Sequence, residues 1–473
     1  MKKIFSLALV WILVLGLCAC GSSGEKAPEG LQVGFGRVMV APDYEVQLAG
    51  GAATRVSDGY QDYQYITCVA LRQGEETYMV CTMDFICAED VFVDPAKALM
   101  SQATGVPEEN ILLNATHTHA GVAIRSDGSK NVEQYRKDFF AWAEEAAKAA
   151  IEDLSPATVS YGSSKTEKMA FVRHYLMQDG TYAGPNYGSF STEKVVGHSN
   201  EADTELQLIK FTRAAEDKKD VVMMNFPAHA TMTQTSTTLS ADFPAPTREY
   251  IEENTDSLVA YFIAAAGDQV PSSRIPGESF SVDYRIYGAE LGRIAVETMN
   301  NLTPIETTDF GYCHRTFSGT YPKEGIERLA DAKAVEAEWK VVGRGTSQGS
   351  AAAKEHGFSS VYEVSAIITR AQKDGEPNSM EIKTLALGDI GFVFAPYEMF
   401  GSDGMYIKEQ SPYPMTFMIT CAEGAEGYLP SELGFQMNCY ESHVTRFERG
   451  TAKLVADEFI SMLTEMKTPK TEQ

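Results

Sequence analysis

Short apolar runs along the chain, bounded by glycine, proline or charged residues, have the pattern of buried strands. These runs are 78–85, 110–114, 206–211, 221–226, 362–370, 380–387, 391–395 and 415–420. The third and fourth runs follow each other closely along the chain, which predicts a pair of neighbouring strands. The runs alternate with helical segments, and the chain shows no internal repeat.

Apolar residues at spacings of three and four predict helices between these strands. The clearest helix is 131–154, whose apolar face consists of Val132, Tyr135, Phe139, Trp142, Ala146, Ala150 and Leu154. Further helices are predicted at 94–102, 246–254, 284–300 and 450–466, and the charged, alanine-rich stretch 322–373 is interpreted as a peripheral helical excursion. We therefore expect a mixed α/β fold, with helices flanking sheet layers in a single large domain and the active site at strand ends.

The N-terminal segment has the pattern of an export signal. Two lysines precede the apolar run 4–17, which is shorter than the roughly 20 residues that a membrane-spanning helix needs. The run ends in Leu-Cys-Ala-Cys20, which resembles the bacterial lipobox and implies a lipoprotein signal peptide over 1–19 and a lipidated Cys20. Residues 20–31 have the composition of a flexible linker. We expect an exported lipoprotein, anchored to the outer face of the bacterial cytoplasmic membrane.

Composition limits the classes of partner and site. The 65 acidic and 40 basic residues give a formal net charge of −25, which repels phosphate backbones, so no nucleic-acid partner is expected. The 44% of hydrophobic residues suffice for a large core, which we assign to one domain over 32–467, followed by a polar tail over 468–473. The cysteines show no CxxC spacing, so a zinc–thiolate site is not expected. Cys421 and Cys439 are the first pair to test for a disulfide.

The strongest chemical signal comes directly after the run 110–114. The segment Asn-Ala-Thr-His117-Thr-His119-Ala-Gly places two of the eight histidines in one tripeptide, among small residues that allow a sharp turn. In an extended segment the two side chains share a face. Both imidazoles can then bind one metal ion, or one binds the ion while the other transfers protons. Two structural histidines are the alternative.

Further candidate groups occur in three later segments. His229 and Glu398 each follow an apolar run, in Phe-Pro-Ala-His and Ala-Pro-Tyr-Glu respectively. A Gly-Tyr428-Leu-Pro segment is followed by Tyr440 and Glu441. Taken alone, each has a structural explanation; a glutamate near a helix N-terminus, for example, is favoured by the helix dipole.

Together the four segments resemble the neutral/alkaline ceramidase family. Thr-His-Thr-His-Ala-Gly (116–121) looks like the family's THTHSG element, and Phe-Pro-Ala-His-Ala-Thr (226–231), with Ser-Ala-Asp-Phe (240–243) after it, looks like its second histidine block. Ala-Pro-Tyr-Glu (395–398) resembles the PGE-type block, and 427–428 with 440–441 resembles the C-terminal tyrosine block. The four occur in the family's order, and the resemblance spans roughly residues 32–465 of the chain, which corresponds to the family's N-terminal catalytic domain.

The resemblance implies one zinc ion per chain, held by His117, His229, Glu398 and Tyr428. It also implies that His119 handles protons, that Tyr440 leans over the reacting group and that Arg173 polarises the substrate. Imidazole and carboxylate are ordinary zinc ligands, and a nearby dication favours the ionised phenol of a tyrosine. The implied activity is hydrolysis of an amide bond in ceramide, another N-acyl lipid or a related amide by zinc-activated water.

One position departs from the family's pattern. The family's GDVSPN element carries a serine implicated in catalysis, whereas the matching Gly-Asp-Gln-Val-Pro-Ser (267–272) has Val270 there, with Ser272 and Ser273 offset. The departure leaves the implied zinc ligands in place and motivates one alternative, a non-catalytic ligand-binding lipoprotein on the same scaffold. A second alternative is a metal-dependent hydrolase of another bond, such as an ester or cyclic amide.

Replacing Cys20 with serine tests the anchor. Each buried CH₂ of an acyl chain contributes about 0.8 kcal/mol, and stable attachment takes more than one chain. The variant should therefore move from the membrane fraction to the soluble fraction on ultracentrifugation. Cys18→Ser is the matched control and should stay with the membrane. Unchanged partitioning of Cys20→Ser would contradict lipidation at this residue.

Overall fold

A computed structural model describes residues 30–51, 53–125, 128–185 and 190–468. The predicted signal peptide, Cys20, almost all of the predicted linker and most of the predicted tail lie outside these residues. The strands are β1 Leu31–Val40, β2 Gln47–Leu48, β3 Arg55–Val56, β4 Gln64–Gln73, β5 Glu76–Met83, β6 Ile111–Ala115, β7 Ser155–Lys165, β8 Phe171–Val172, β9 Tyr175–Met177, β10 Tyr182–Ala183, β11 Val195–His198, β12 Glu205–Arg213, β13 Asp220–Phe226, β14 Ser257–Ile263, β15 Gln269–Val270, β16 Thr303–Pro304, β17 Phe310–Thr320, β18 Pro377–Leu387, β19 Ile390–Ala395, β20 Glu398–Met399, β21 Met415–Thr420 and β22 Tyr428–Leu429. The α-helices are α1 Asp90–Thr104, α2 Val132–Glu152, α3 Pro244–Asn254, α4 Tyr284–Thr298, α5 Leu329–Val342, α6 Ser347–Glu355, α7 Val361–Gln372, α8 Gly401–Gln410, α9 Glu432–Gln436, α10 Tyr440–Val444 and α11 Thr451–Lys467.

Two sheets pack face to face at the centre of the fold. The larger has the strand order β14-β13-β12-β7-β1-β4-β5-β6, with β16 beside β7, and the smaller has the order β17-β18-β19-β21. Apolar side chains from both sheets form one buried cluster, in which the rings of Phe262 and Phe417 lie 6.0 Å apart. Both inner faces are therefore buried, as expected for strands that read as continuous apolar runs.

Helices cover the outer faces of both sheets. Helices α1 and α2 pack on the β4–β6 end of the larger sheet, and α3 and α4 pack on its β12–β14 end. Helices α8 and α11 cover the smaller sheet. Helix α2 lies very close to β1, since a Cβ atom added at Gly34 would be only 1.9 Å from Ala150 O. The absence of a side chain at Gly34 permits this close approach. The predicted mixed α/β class, with helices flanking sheet layers, is confirmed.

Parallel pairs bring several strand ends together. Within the described residues β5 pairs in parallel with β6, β13 with β14, and β19 with β21. Two buried asparagines connect the sheets at these strands: the amide of Asn114 donates to Thr420 O at 2.6 Å, and that of Asn225 donates to Met418 O at 2.5 Å. The ends of β6, β13 and β19 consequently share one edge of the sandwich, where clefts commonly form.

Most predicted elements are present with shifted ends, and the predicted pairing of 206–211 with 221–226 is confirmed as β12 and β13. The strand predicted at 362–370 is wrong, because this segment is helix α7. Its buried residues, Val361, Val364, Ile367 and Ile368, recur at the helical spacing, and a short apolar run does not separate a strand from a buried helix.

The six cysteines of the described residues are free thiols, so the suggested bond between Cys421 and Cys439 is not formed. Cys68 and Cys81 face each other across β4 and β5 with their sulfur atoms 2.7 Å apart.

In the part of the chain that the structure describes, no helix combines the length and the apolar character needed to cross a membrane.

Asp84 forms buried contacts close to the sandwich edge at which β6, β13 and β19 end, and replacing it tests how much these contacts stabilise the fold. Its buried carboxylate accepts two hydrogen bonds from Arg248, at 3.0 and 2.8 Å, and one from the Thr116 hydroxyl at 3.1 Å. Because Asp84→Asn leaves the buried guanidinium without a charged partner, we expect the free energy of unfolding to fall by about 3–5 kcal/mol in urea denaturation. Asp58→Asn, at an exposed position, is the control. A loss below about 1 kcal/mol for Asp84→Asn would show that the pair does not stabilise the fold.

Candidate metal centre

Strand ends position the predicted site residues at the shared edge of the sandwich. β6 leads into His117 and His119, and β13 leads into His229. Glu398 begins β20, which pairs in parallel with β22, so that Glu398 and Tyr428 are directly paired. Residues that are far apart in sequence therefore meet because the topology places these strand ends together.

Each of the three imidazoles is oriented by a backbone carbonyl at its Nδ1 atom. The distances are 2.6 Å from His117 to Ile86 O, 2.8 Å from His119 to Gly50 O and 2.6 Å from His229 to Ala266 O. Because a carbonyl oxygen only accepts hydrogen bonds, we assign the proton to Nδ1 in each ring. Each Nε2 then presents a lone pair, which is the arrangement of metal-ligating histidines.

The three Nε2 atoms converge with one carboxylate. His117 Nε2 lies 3.3 Å from His119 Nε2 and 3.3 Å from Glu398 Oε2, and His229 Nε2 lies 3.1 Å from the same oxygen. A bound cation would take the place of the proton that His117 and Glu398 otherwise share, because metal ligands bind in their deprotonated forms. Ligand atoms about 2 Å from a tetrahedral ion are themselves about 3.3 Å apart, so the group fits one metal ion.

Burial and mutual charge tune the protonation of this cluster. Burial lowers the pKa of His229 to about 4 and holds the pKa of His119 well below its ordinary value, and positive charge on His117 adds to both shifts. Burial would also lower the pKa of His117, but Cys421 and Glu398 together raise it well above the ordinary value. Burial would raise the pKa of Glu398, but His117 and His229 hold it far below its usual range. The carboxylate and two imidazoles are thus electron-pair donors at neutral pH.

The segment that contains the two histidines is not extended, so this part of the prediction is wrong. His117 has a φ of +65°, in the left-handed region that few residues other than glycine adopt. The imidazoles nevertheless converge, with ring centroids 5.0 Å apart, because the turn itself brings them together. Backbone strain of this kind costs about 1–3 kcal/mol and is typical of functional sites.

Tyr428, Arg173 and Tyr440 form a layer beside the histidines. The Tyr428 ring is stacked on His229 at 6.4 Å and lies 5.9 Å from the Tyr440 ring. The Arg173 guanidinium carbon lies 5.3 Å from the Tyr428 ring centroid. Burial raises the pKa of Tyr428 well above its ordinary value, and the negative charge of Glu398 raises it further. Tyr428 is therefore a neutral phenol unless a cation is bound next to it.

Glu441 occurs in one of the candidate segments, but the sequence assigned it no role in the site. Its fully buried carboxylate accepts a hydrogen bond from Arg173 Nε at 2.7 Å and lies 2.9 Å from His174 Nε2. Burial would raise its pKa, but Arg173 and His174 lower it, so the group stays ionised. With Cys439 and His174 it forms a second group of metal-ligand type, although its oxygens are already bonded. Its position after Tyr440 was visible in the sequence, but its pairing with Arg173 was not.

A cavity of about 1020 Å³ opens over these residues, at the upper end of the range for ligand pockets. Predicted site residues on its wall are His117, His119, Arg173, Glu398, Tyr428 and Tyr440. His229 lies just beneath and contacts Glu398. Helix α7 and the turn before α6 form part of the opposite wall, so the helical excursion at 322–373 is not peripheral as predicted.

The segment 266–270 supports the site through its backbone. Ala266 O orients His229, Gln269 O accepts a hydrogen bond from His229 N at 3.1 Å, and Asp268 O accepts one from Arg173 N at 2.8 Å. Val270 pairs with Phe171 between β15 and β8. Val270, Ser272 and Ser273 do not occur among the described residues that line the cavity.

The fold and site define a class: an αββα sandwich with a candidate metal centre at one edge. No protein-family model matches the sequence, and no curated protein matches it at a significant level. Solved structures match the fold, among them the following two. Neutral ceramidase from Pseudomonas aeruginosa has a TM-score of 0.69 at 14% identity, covering 94% of this chain and 76% of the ceramidase. A structure described as ceramidase complexed with C2 has a TM-score of 0.68 at 15% identity, covering 94% and 77%.

The likeness to ceramidase confirms the resemblance at the level of the fold. The structure places His117, His119, His229, Glu398, Tyr428, Arg173 and Tyr440 in one site. Their individual roles as ligands or catalytic groups stay predictions, as does lipidation of Cys20, which lies outside the described residues.

Metal content tests the ligand assignment. We expect about one divalent metal ion per chain in protein purified without chelator, measured by elemental analysis. His117→Ala and His229→Ala should each lower that content at least about tenfold, because removing a ligand weakens the site directly. His314→Ala, at an exposed histidine outside the cluster, should retain the metal. Full retention in both cluster variants would contradict the assignment.

Proposed function

We propose that this protein is a zinc-dependent hydrolase that cleaves the amide bond of an N-acyl lipid or a related amide. The observation that carries the proposal is the convergence of three imidazole Nε2 atoms, two of which contact the Glu398 carboxylate. The fold is also similar to that of two solved ceramidase structures. Cleavage of ceramide itself is one case within this proposal.

The donor set fits zinc better than a hard cation. Imidazole nitrogens with a single carboxylate are typical of zinc sites, whereas magnesium and calcium prefer oxygen ligands. His117, His229 and Glu398 would hold the ion, with Tyr428 completing the set as predicted. When bound, the ion would polarise the scissile carbonyl and increase the acidity of the attacking water.

The remaining groups supply proton transfer and positioning. The Nε2 lone pair of His119 can accept a proton from the attacking water and return it to the leaving amine. The Arg173 guanidinium is held in place by Glu441, so its free edge can stabilise negative charge that develops on the carbonyl oxygen. Tyr440 lies over the same space and can donate its phenolic proton there.

Because Val270 stands where the resembled family has a serine, a second candidate is a ligand-binding protein that has lost turnover. However, hydrolysis in which water attacks directly does not need a serine nucleophile. Val270, Ser272 and Ser273 also lie away from the described cavity wall. We therefore favour hydrolysis without a covalent intermediate. Hydrolysis of an ester or cyclic amide is compatible with the same groups, and we propose membrane attachment through Cys20 in either case.

A substrate panel tests the proposed function. Purified protein is assayed on N-acyl sphingosine, simple N-acyl amides, matching esters and cyclic amides, before and after chelation. We expect cleavage of at least one linear amide, loss of activity with chelator and recovery with added zinc. His119→Ala should lower kcat by roughly 10²–10⁴ while zinc remains bound, since a positioned acid–base group contributes that much.

His314→Ala is the matched control and should leave kcat unchanged. Binding of the amides without turnover would favour the ligand-binding alternative. Turnover of esters or cyclic amides alone would favour a metal-dependent hydrolase of those bonds. Undiminished activity in the metal-free protein would contradict the proposal altogether.

A further inference from the structure

The charged residues on the cavity wall have the opposite balance to the protein as a whole. The chain has a formal net charge of −25. The described lining nevertheless contains a single carboxylate, Glu398, which belongs to the candidate metal centre, and the five arginines Arg125, Arg173, Arg344, Arg370 and Arg446. Whether this wall attracts a negatively charged ligand depends on which of the arginines lack a partner within the protein.

Four of these arginines are already paired within the protein. Arg173, Arg125 and Arg446 form ion pairs with Glu441, Glu89 and Glu426 respectively. Arg370 donates to four backbone carbonyl oxygens, those of Glu324, Ser442, His443 and Thr445. The guanidinium groups of these four arginines therefore mainly hold segments of the cavity wall in place.

Arg344 differs from the other four. Across the described ranges, no carboxylate or carbonyl oxygen accepts a hydrogen bond from its side chain, and the group is exposed to the cavity. Its guanidinium carbon lies 5.0 Å from the ring centroid of Tyr362 and 5.6 Å from that of Trp339. The aromatic contacts restrict the group while its N–H donors remain available, which suits bidentate recognition of a carboxylate or phosphate.

The surroundings of Arg344 lack a compensating negative charge. Burial lowers the pKa of its guanidinium, Tyr362 opposes this shift, and the positive charge of Arg125 adds to it. Because Arg125 is already paired with Glu89, Arg344 is the arginine of this wall that gains most from an added anion.

A row of tyrosine rings connects Arg344 to the candidate metal centre. Tyr362, beneath Arg344, lies 6.4 Å from Tyr440, and Tyr440 lies 5.9 Å from Tyr428. All four side chains line the one cavity. A ligand whose amide lies at the metal centre can therefore extend along these rings to Arg344.

We propose that the substrate carries an anionic group, a carboxylate or a phosphate, and that Arg344 binds it, separated from the scissile amide by the row of tyrosine rings. This inference rests on the proposed function of the same site. It distinguishes the substrate from neutral amides such as ceramide, and it assigns substrate specificity to the α5–α7 segment.

The test compares hexylamides of three dodecanoic acids whose far end is a carboxylate, a phosphate monoester or a neutral hydroxyl. Values of kcat/KM are measured for each amide, and dissociation constants are measured by calorimetry for matching ketones, in which a methylene replaces the amide nitrogen. We expect the wild type to prefer the carboxylate or the phosphate over the hydroxyl by about tenfold in both quantities. The order of the two anions identifies the group recognised.

Arg344→Gln should abolish this preference, mainly through KM, and Arg344→Lys should retain part of it. Arg293→Gln, on the outer helix α4, is the control and should keep the full preference. An equal response to all three end groups in the wild type, or a full preference in Arg344→Gln, would overturn the inference.

The two proposals fail separately. Cleavage of all three amides at equal rates would leave hydrolysis intact and reject the anionic substrate. Selective binding of the anionic ketones, lost in Arg344→Gln but without cleavage of any amide, would support the anionic ligand and reject hydrolysis.

Discussion

The arrangement of this site depends on the hydrogen bonds between three imidazole Nδ1 atoms and three backbone carbonyls. These bonds direct the Nε2 atoms of His117 and His229 toward Glu398 and that of His119 toward His117. The acceptors are Ile86, Gly50 and Ala266, in three separate loops, so the orientation requires the whole edge of the sandwich to be formed. Folding therefore brings three imidazoles and one carboxylate together in advance, and a cation bound among them would stabilise this arrangement.

Sequence patterns predicted the strands and helices of the sandwich because its central strands are apolar on both faces and its outer helices have clear apolar faces. They also predicted which residues meet at the site, through four short segments in a characteristic order. This success has a physical basis, since His117, His229 and Glu398 each follow a strand that ends at the same edge. Periodicity failed at α7, where a run of apolar residues fitted both a strand and a buried helix.

Other features depend on long-range contacts that no local pattern reveals. Asp84 meets Arg248 and Thr116 only because β5 lies beside β6 and helix α3 packs nearby. Glu441 meets Arg173 across 268 positions of sequence. The left-handed conformation of His117 is likewise imposed by the surrounding turn, and the residue type itself disfavours it. Such supporting residues are invisible until the topology is known.

Two different parts of the chain line the cavity, and each contributes a different kind of group. The αββα sandwich supplies the histidines and the carboxylate from strand ends that packed cores hold rigidly. The α5–α7 segment has a small core of its own, around Val335, Phe358 and Val364, and presents Arg344 and Tyr362 to the same space. Substitutions on this wall can change the ligand without disturbing the sandwich. The fold shared with a ceramidase at 14% identity is therefore compatible with a different ligand.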